Sequence, residues 1–241
     1  MGSRRLAALS AGAVLIATAA CGQSGATSAA AASPPAATGA LAGVCPETVV
    51  VQTDWFAESE YGTYFQLLGD RPTFDTERKR VSAPLVAAGQ PTGVTLEIRY
   101  GGPAIGFQQV SAQMYADPSI TFGLVSTDEA IQNSQRLATR AVVAPLELSP
   151  LMLMWDRAKH PDVTSVADLG RDSIPVLYYQ ADTYMQYLLG AGLLKPEQVD
   201  GSYDGGPSRW VAADGDVAQA GFATAEPVSY THLTLPTTPY V

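Results

Sequence analysis

Residues 48–69 read T-V-V-V-Q-T-D-W-F-A-E-S-E-Y-G-T-Y-F-Q-L-L-G. The β-branched run Thr48 to Asp54 predicts a buried strand. Asp54-Trp55 then opens a polar turn, and Tyr61 to Leu68 has helical spacing that stops at Gly69. Strand, turn and helix in that order are the opening unit of an α/β fold, and the chain on either side repeats the habit. Val94 to Tyr100 predicts a strand closed by Gly101-Gly102-Pro103. Phe107 to Tyr115 predicts a helix with Val110 and Met114 on one face. Thr121 to Val125 predicts a strand, after which Ser126-Thr127-Asp128 caps a helix through Arg136. Between these units Asp70 to Gln90 is polar and irregular, and is expected to be solvated surface.

The second half continues in the same manner. Val142 to Leu146 and Leu151 to Trp155 are apolar and extended, with Ser149-Pro150 between them. Ser165 to Leu169 predicts a short helix and Pro175 to Tyr179 a strand. Asp182 is expected to cap a helix to Leu189, Pro196 to open a further helical turn, and Ala220 to Thr224 to form a last strand. This alternation argues for an α/β fold with a largely parallel sheet. Each half is too short for a complete doubly wound domain, which suggests two linked lobes with the second incomplete.

The two ends read differently from the middle. Arg4 and Arg5 precede an uncharged Ala-rich run, Leu6 to Ala20, too short for a comfortable membrane span. The run closes on Thr18-Ala19-Ala20-Cys21, which resembles the lipobox of bacterial lipoproteins, with Thr18 where an aliphatic residue is usual. Residues 1–21 are therefore expected to be a lipoprotein signal with Cys21 as the lipid-bearing residue. Residues 22–43, almost wholly Ala, Gly, Ser, Thr and Pro, are expected to be a disordered tether. At the other end, V-S-Y-T-H-L-T-L-P-T over Val228 to Thr237 matches the translation of a transposon-based sequencing adapter. Residues 228–241 are accordingly expected to be adapter translation, which removes His232 from the inventory. Lobe 1 is then expected over 44–148 and a partial lobe 2 over 149–227.

The charge balance excludes some partners. The 14 Lys+Arg against 23 Asp+Glu give −9, and loss of Arg4 and Arg5 with the signal makes the remainder more acidic. Neither nucleic acid nor an acidic lipid surface is a fitting partner for such a chain. Two Cys and two His leave little material for a structural zinc site, and no metal or cofactor is expected.

Several of these segments carry a family resemblance. Gln52 to Gly69, the block F-G-L-V-S-T-D-E-A at Phe122 to Ala130, V-A-D-L-G at Val166 to Gly170, and G-D-V-A-Q-A-G-F-A-T-A-E-P at Gly215 to Pro227 resemble one another's counterparts in a single family. That family is the nitrate/sulfonate/taurine and thiamine-pyrimidine family of solute-binding proteins of ABC importers. The resemblance implies a two-lobed, periplasmic-binding-protein-like (type II) fold that clamps a small solute between its lobes and presents it to a permease. It also implies a non-enzymatic, monomeric lipoprotein on the outer face of the bacterial cell membrane. Two alternatives use the same fold: a thiamine-pyrimidine-synthase-like enzyme, and a sensor lipoprotein without a transport partner. The enzymes of that kind carry a reactive histidine and a cysteine-rich motif. Tyr61 stands where this family often has His, which counts against the enzyme.

Candidate site residues follow from strand ends, where open α/β sheets place ligands. Asp54 can bond a ligand N–H or cap its turn, and Trp55 can stack on a planar ligand or pack under its own loop. Tyr61, Gly101, Ser126, Thr127 and Asp128 join them, the last three being N-cap residues first and ligand contacts second. Glu226 is a cleft carboxylate by resemblance, and chain crossings near Ser149 and Glu226 are candidate hinges. Tyr184 and Trp210 read as core or lobe surface. Arg99 is the one nearby cation, whereas a sulfonate or nitrate wants Arg, Lys or several N–H donors. A pyrimidine-like or amine-bearing heterocycle is therefore preferred as solute.

Sharper chemistries fail on spacing. His160, in D-R-A-K-H-P-D, reads as a solvated loop residue rather than half of a nucleophile pair. Asp200 to Gly205 begins like a calcium loop, but Val211 stands at the twelfth position. Gly190-Ala191-Gly192 lies in a helical segment and not after a strand, so it is no dinucleotide loop. Cys45 stands alone after the tether.

Overall fold

The computed structural model describes residues 38–234, with side chains to residue 231. Cys21, the signal, most of the expected tether and residues 235–241 lie outside the described residues. The chain forms a mixed α/β fold with two open mixed sheets.

The first sheet has the order β2-β3-β4-β1-β5. Strand β1 (Thr48–Gln52) is its centre, parallel to β4 (Gln90–Arg99) on one side and to β5 (Phe122–Gly123) on the other. Being flanked on both edges and covered, it buries Val49, Val50 and Val51 together, which is why its sequence is a continuous β-branched run instead of an alternation. Strand β4 alternates instead: Thr92, Val94, Leu96 and Ile98 are buried while their neighbours stay half-exposed.

The segment read as solvated surface is in fact strand. Residues Thr73–Asp75 form β2 and Arg80–Ala87 form β3, an antiparallel extension that pairs with β4. The alternation Val81, Ala83 was obscured by the charges beside it and by Pro84, where the register shifts. Those charges form a chain of ion pairs along the sheet. Arg80 meets Asp75 at 3.4 Å and Glu97 at 3.2 Å, and Arg99 meets Glu97 at 2.6 Å and Asp117 at 2.8 Å. The sheet is therefore mixed, and the expectation of a largely parallel one is corrected.

Helical pieces connect and cover these strands. A 3-10 turn at Ser59–Tyr61 runs into α1 (Gly62–Phe65), and Val110–Ala116 forms α2. Thr127–Asn133 forms α3, capped as expected by Ser126, whose Oγ accepts from the Glu129 N–H at 3.3 Å. Val142 to Leu146 makes no strand; Val142 and Val143 are exposed in an irregular passage toward the second sheet.

The second sheet has the order β6-β9-β7-β8. Its strands are Leu151–Met154 (β6), Val176–Leu177 (β7), Val199–Asp200 (β8) and Ala218–Phe222 (β9). Strands β7, β8 and β9 are parallel, and β6 is antiparallel to β9. Helix α4 (Val166–Arg171) begins in a capping box in which Ser165 and Asp168 satisfy each other's backbone N–H groups. Its Leu169 joins Val176, Met185, Leu194 and Ala218 in a core closed to solvent. Helix α5 (Tyr184–Gly190) has Thr183 at its N-cap rather than Asp182, which frees the Asp182 carboxyl for another role. Helices α6 (Ser208–Ala212) and α7 (Glu226–Thr234) complete the second half.

Two smaller expectations, on His160 and on the tether, also change. His160 is half-buried, and its Nε2 has no hydrogen-bond partner. Cys45 is a free thiol packed against the first core. Residues 38–43, at the end of the expected tether, form turns, with the Leu41 N–H donating to the Thr92 carbonyl at 2.9 Å. No helix among the described residues is long and apolar enough to cross a membrane.

Candidate ligand-binding site

A cavity opens between the two sheets, and its walls come from both. The first wall starts where β1 and β4 end. The Gln52 side-chain amide donates to the carbonyls of Thr53 at 2.9 Å and Tyr100 at 3.0 Å, tying the two strand ends together. The Gly101 and Gly102 N–H groups then donate to the carbonyls of Trp55 and Asp54, each at 2.9 Å. This approach is so close that a Cβ on Gly101 would lie 2.3 Å from the Asp54 carbonyl carbon. Gly101 thus shapes the turn from behind and does not touch the cavity.

Asp54 and Trp55 emerge from that turn into the cavity. The Tyr61 hydroxyl donates to the Asp54 carboxylate at 2.7 Å, and Tyr61 itself is fully covered. Tyr61 therefore positions Asp54 rather than lining the cavity. Ser126 and Asp128 line it at the start of α3, while Thr127 points to solvent. Glu129, buried in the same helix, accepts from the Ser111 N–H at 3.0 Å.

The second wall is built at the carboxyl end of β7 and along β9. Tyr179, Asp182, Thr183 and Tyr184 come from the first, and Gly221 and Phe222 from the second. Tyr184, read from sequence as core or surface, is corrected to a wall residue, whereas Trp210 packs on Tyr230 at 6.0 Å between ring centres. Glu226 lies at the start of α7 with its carboxylate buried. It accepts from the Tyr203 hydroxyl at 2.8 Å and from the Phe222 N–H at 2.5 Å. Gly221 makes this possible, since a Cβ there would fall 2.5 Å from the Glu226 carboxyl carbon.

The sheets are joined across the cavity by polar and aromatic contacts. Gln109 Nε2 donates to the Ala181 carbonyl at 3.2 Å, and the Thr224 hydroxyl donates to Glu60 at 2.8 Å. The Thr183 hydroxyl bonds the Asp128 carboxylate, and the Tyr179 hydroxyl donates to the Phe107 carbonyl. Trp55 is the hub of the rings. Its centre lies 4.8 Å from Tyr179 and 6.2 Å from Tyr203, the latter at 30° between planes, with Phe56 and Phe107 on its other sides.

Electrostatically the cavity is one-sided. Asp54, Glu58, Asp128, Glu129, Asp182 and Glu226 all line it, and among its described lining residues none is Lys, Arg or His. Burial, with Asp54 and Asp128 close by, pushes the Asp182 carboxyl up to about 7. Burial and the neighbouring Glu60 push Glu58 up to about 9. Burial also raises Asp54 and Glu129 despite the donors they accept from. Burial opposes the charge on Asp128 and Glu60 too, but donors outweigh it: Thr183 and Ser126 for the first, Glu58 and Thr224 among others for the second, so both are lowered. Arg99, expected nearby, lines a separate hollow with Arg80 and Glu97.

The cavity volume is about 120 Å³. An engineered apolar cavity of about 150 Å³ binds benzene, so the space suits a single ring. Ring faces and carboxyls from both sheets thus share one small concave space. Among the described residues, no cluster of three or more His, Cys, Asp or Glu side chains is arranged to hold a metal ion.

Of the sequence candidates, Asp54, Trp55, Ser126, Asp128 and Glu226 meet at the cavity, and Tyr61, Gly101 and Thr127 do not reach it. The aromatic and acidic residues after β7, together with Glu58 and Glu129, were missed. The strand-end rule that pointed to Asp54 applies equally after Leu177 and would have pointed to Tyr179 and Asp182. No family model, curated protein or solved structure matched the chain.

Proposed function

We propose that this chain is the extracytoplasmic solute-binding component of an ABC importer, held to the outer face of the cell membrane through Cys21. On this reading the two sheets are the cores of the two lobes of a type II clamp, and the segments near Ser149 and Glu226 are its hinges. The solute is a pyrimidine-like or amine-bearing single ring, delivered to a membrane permease. The observation that carries the reading is the cavity itself, whose ring and carboxyl walls are contributed jointly by both sheets. A site divided in this way binds by closure around its solute and releases by opening. Where related synthases use a histidine, Tyr61 is covered and donates to Asp54, which favours binding over catalysis.

The test is a thermal-shift panel on the full chain with 4-aminopyrimidine, taurine, nitrate and methanesulfonate. A ligand at a hundredfold excess over its Kd stabilises the folded state by about 2.7 kcal/mol. Stabilisation by 4-aminopyrimidine alone is the expected result. Stabilisation by nitrate or the sulfonates instead would overturn the solute class, and a flat response to all four would overturn the binding reading.

A further inference from the structure

We propose that the solute enters this cavity as an organic cation and displaces a proton from the cavity's own carboxyl groups as it binds. The proposal rests on the reading of the cavity as a solute site and specifies both the charge of the solute and the counter-movement of protons.

The geometry supplies the reason. Acidic side chains converge on about 120 Å³ from the β1 turn, from α3, from the segment after β7 and from the start of α7. Most already have fixed donors. Asp54 takes the Tyr61 hydroxyl, Asp128 the Thr183 hydroxyl, Glu129 the Ser111 N–H, and Glu226 the Tyr203 hydroxyl and Phe222 N–H. These four have a donor from the protein itself. Glu58 and Asp182 are the exceptions.

Glu58 has Glu60 beside it as a second carboxyl, and two close carboxyls resist ionising together. Glu226 and Asp54 face Glu58 as further negative charges. Asp182 is faced by Asp54, Asp128 and Glu129, with the Tyr184 and Tyr179 phenols beside it. No cationic side chain lines the cavity among the described residues. Without solute, the cheapest answer to this crowding is to keep Glu58 and Asp182 protonated, in keeping with their rise to about 9 and about 7. A cation against the Trp55 face supplies the missing positive charge and gains a cation–π contact as well. The proton it makes unnecessary leaves to solvent, so charge and protons balance.

The sign of the pH dependence follows. Both carboxyls stand above their ordinary values in the unliganded fold, and a bound cation lowers them. Binding then releases a proton, and affinity rises with pH until the carboxyl that gives it up is already ionised without ligand. Each proton released makes a roughly tenfold gain in affinity per pH unit. A single positive charge displaces a single proton, and Asp182, the more acidic of the two, gives it up, so the rise runs below about 7 and levels off above it.

Calorimetric titration of the full chain tests this with three single-ring probes: N-methylpyridinium, its neutral isostere toluene, and benzenesulfonate. The charge of N-methylpyridinium does not titrate, so any pH dependence belongs to the protein. The expected result is binding of N-methylpyridinium at least tenfold tighter than toluene, with none of benzenesulfonate. Its affinity should rise about tenfold between pH 5.5 and 6.5. The heat should differ between phosphate and imidazole buffers by about one proton's ionisation. Asp182→Asn should flatten that rise. Equal affinity for toluene, a preference for benzenesulfonate or a pH-independent Kd would overturn the cation–proton exchange while leaving the cavity a solute site. Failure of all three probes to bind would overturn both.

Discussion

Replacing Trp55 by Ala is expected to cost about 3 kcal/mol of stability, at the lower end of the range for a large aromatic truncation. It should also weaken binding of a single-ring probe at least tenfold. Trp55 is only half-buried, which argues for a moderate cost, but four rings pack on it from both halves of the molecule. The substitution removes the contacts to Tyr179 and Tyr203 that join the first sheet's turn to the second sheet, so the two walls lose their common surface. The fall in stability is read from the urea midpoint, and the affinity from calorimetry. Trp55→Phe should restore more than half of the stability, since a smaller ring still reaches Tyr179 at 4.8 Å between centres. If Trp55→Ala left both quantities unchanged, the ring would be a surface ornament and not the hub of the site.

Replacing Glu226 by Ala is expected to be of similar size, about 3 kcal/mol, for a different reason. It strands two donors that the carboxylate now satisfies, the buried Tyr203 hydroxyl and the Phe222 N–H. Each buried donor left unpaired costs about 1–3 kcal/mol. Glu226→Gln keeps the length and one acceptor oxygen and should cost only about 1 kcal/mol. Adding Tyr203→Phe to the Ala variant should recover part of the loss, because the hydroxyl left without a partner is then gone. A double-mutant cycle on Tyr203 and Glu226 measures this coupling, and additive losses would mean that the two groups do not share a bond.

How much of this was legible in the chain depended on burial pattern. Strand β1 was plain because a strand covered on both faces is apolar at every position. Strand β3 was missed because its inward residues, Val81 and Ala83, are small and sit between charges that pair with Asp75 and Glu97 across the sheet. A charge run reads as solvated surface until the partner strand is known. Ser126 was legible as a cap because capping is local, three residues from donor to acceptor. Asp182 looked like the same kind of cap, yet Thr183 holds that place and the carboxyl turns into the cavity.

The site divides along the same line. Asp54 and Trp55 were found because they lie at a strand end, whereas Glu226 came from the family resemblance. Tyr61 and Gly101 were attached to the site by sequence neighbourhood, and their work proved to be one layer behind it, in positioning Asp54 and its turn. Tyr203 and Tyr179 could not be linked to Trp55 from sequence. Ring contacts at a separation of more than a hundred residues depend on how two sheets face each other, and no local pattern encodes that.

The central claim is that one small molecule occupies the space between the sheets. It is tested most directly by fluorine NMR of the full chain carrying 5-fluorotryptophan at Trp55, Trp155 and Trp210, the Trp55 signal being assigned from Trp55→Phe. On addition of N-methylpyridinium the Trp55 resonance is expected to shift saturably, while Trp155 and Trp210, which do not line the cavity, stay in place. A saturable shift confined to Trp155 or Trp210, or no shift at all, would contradict it.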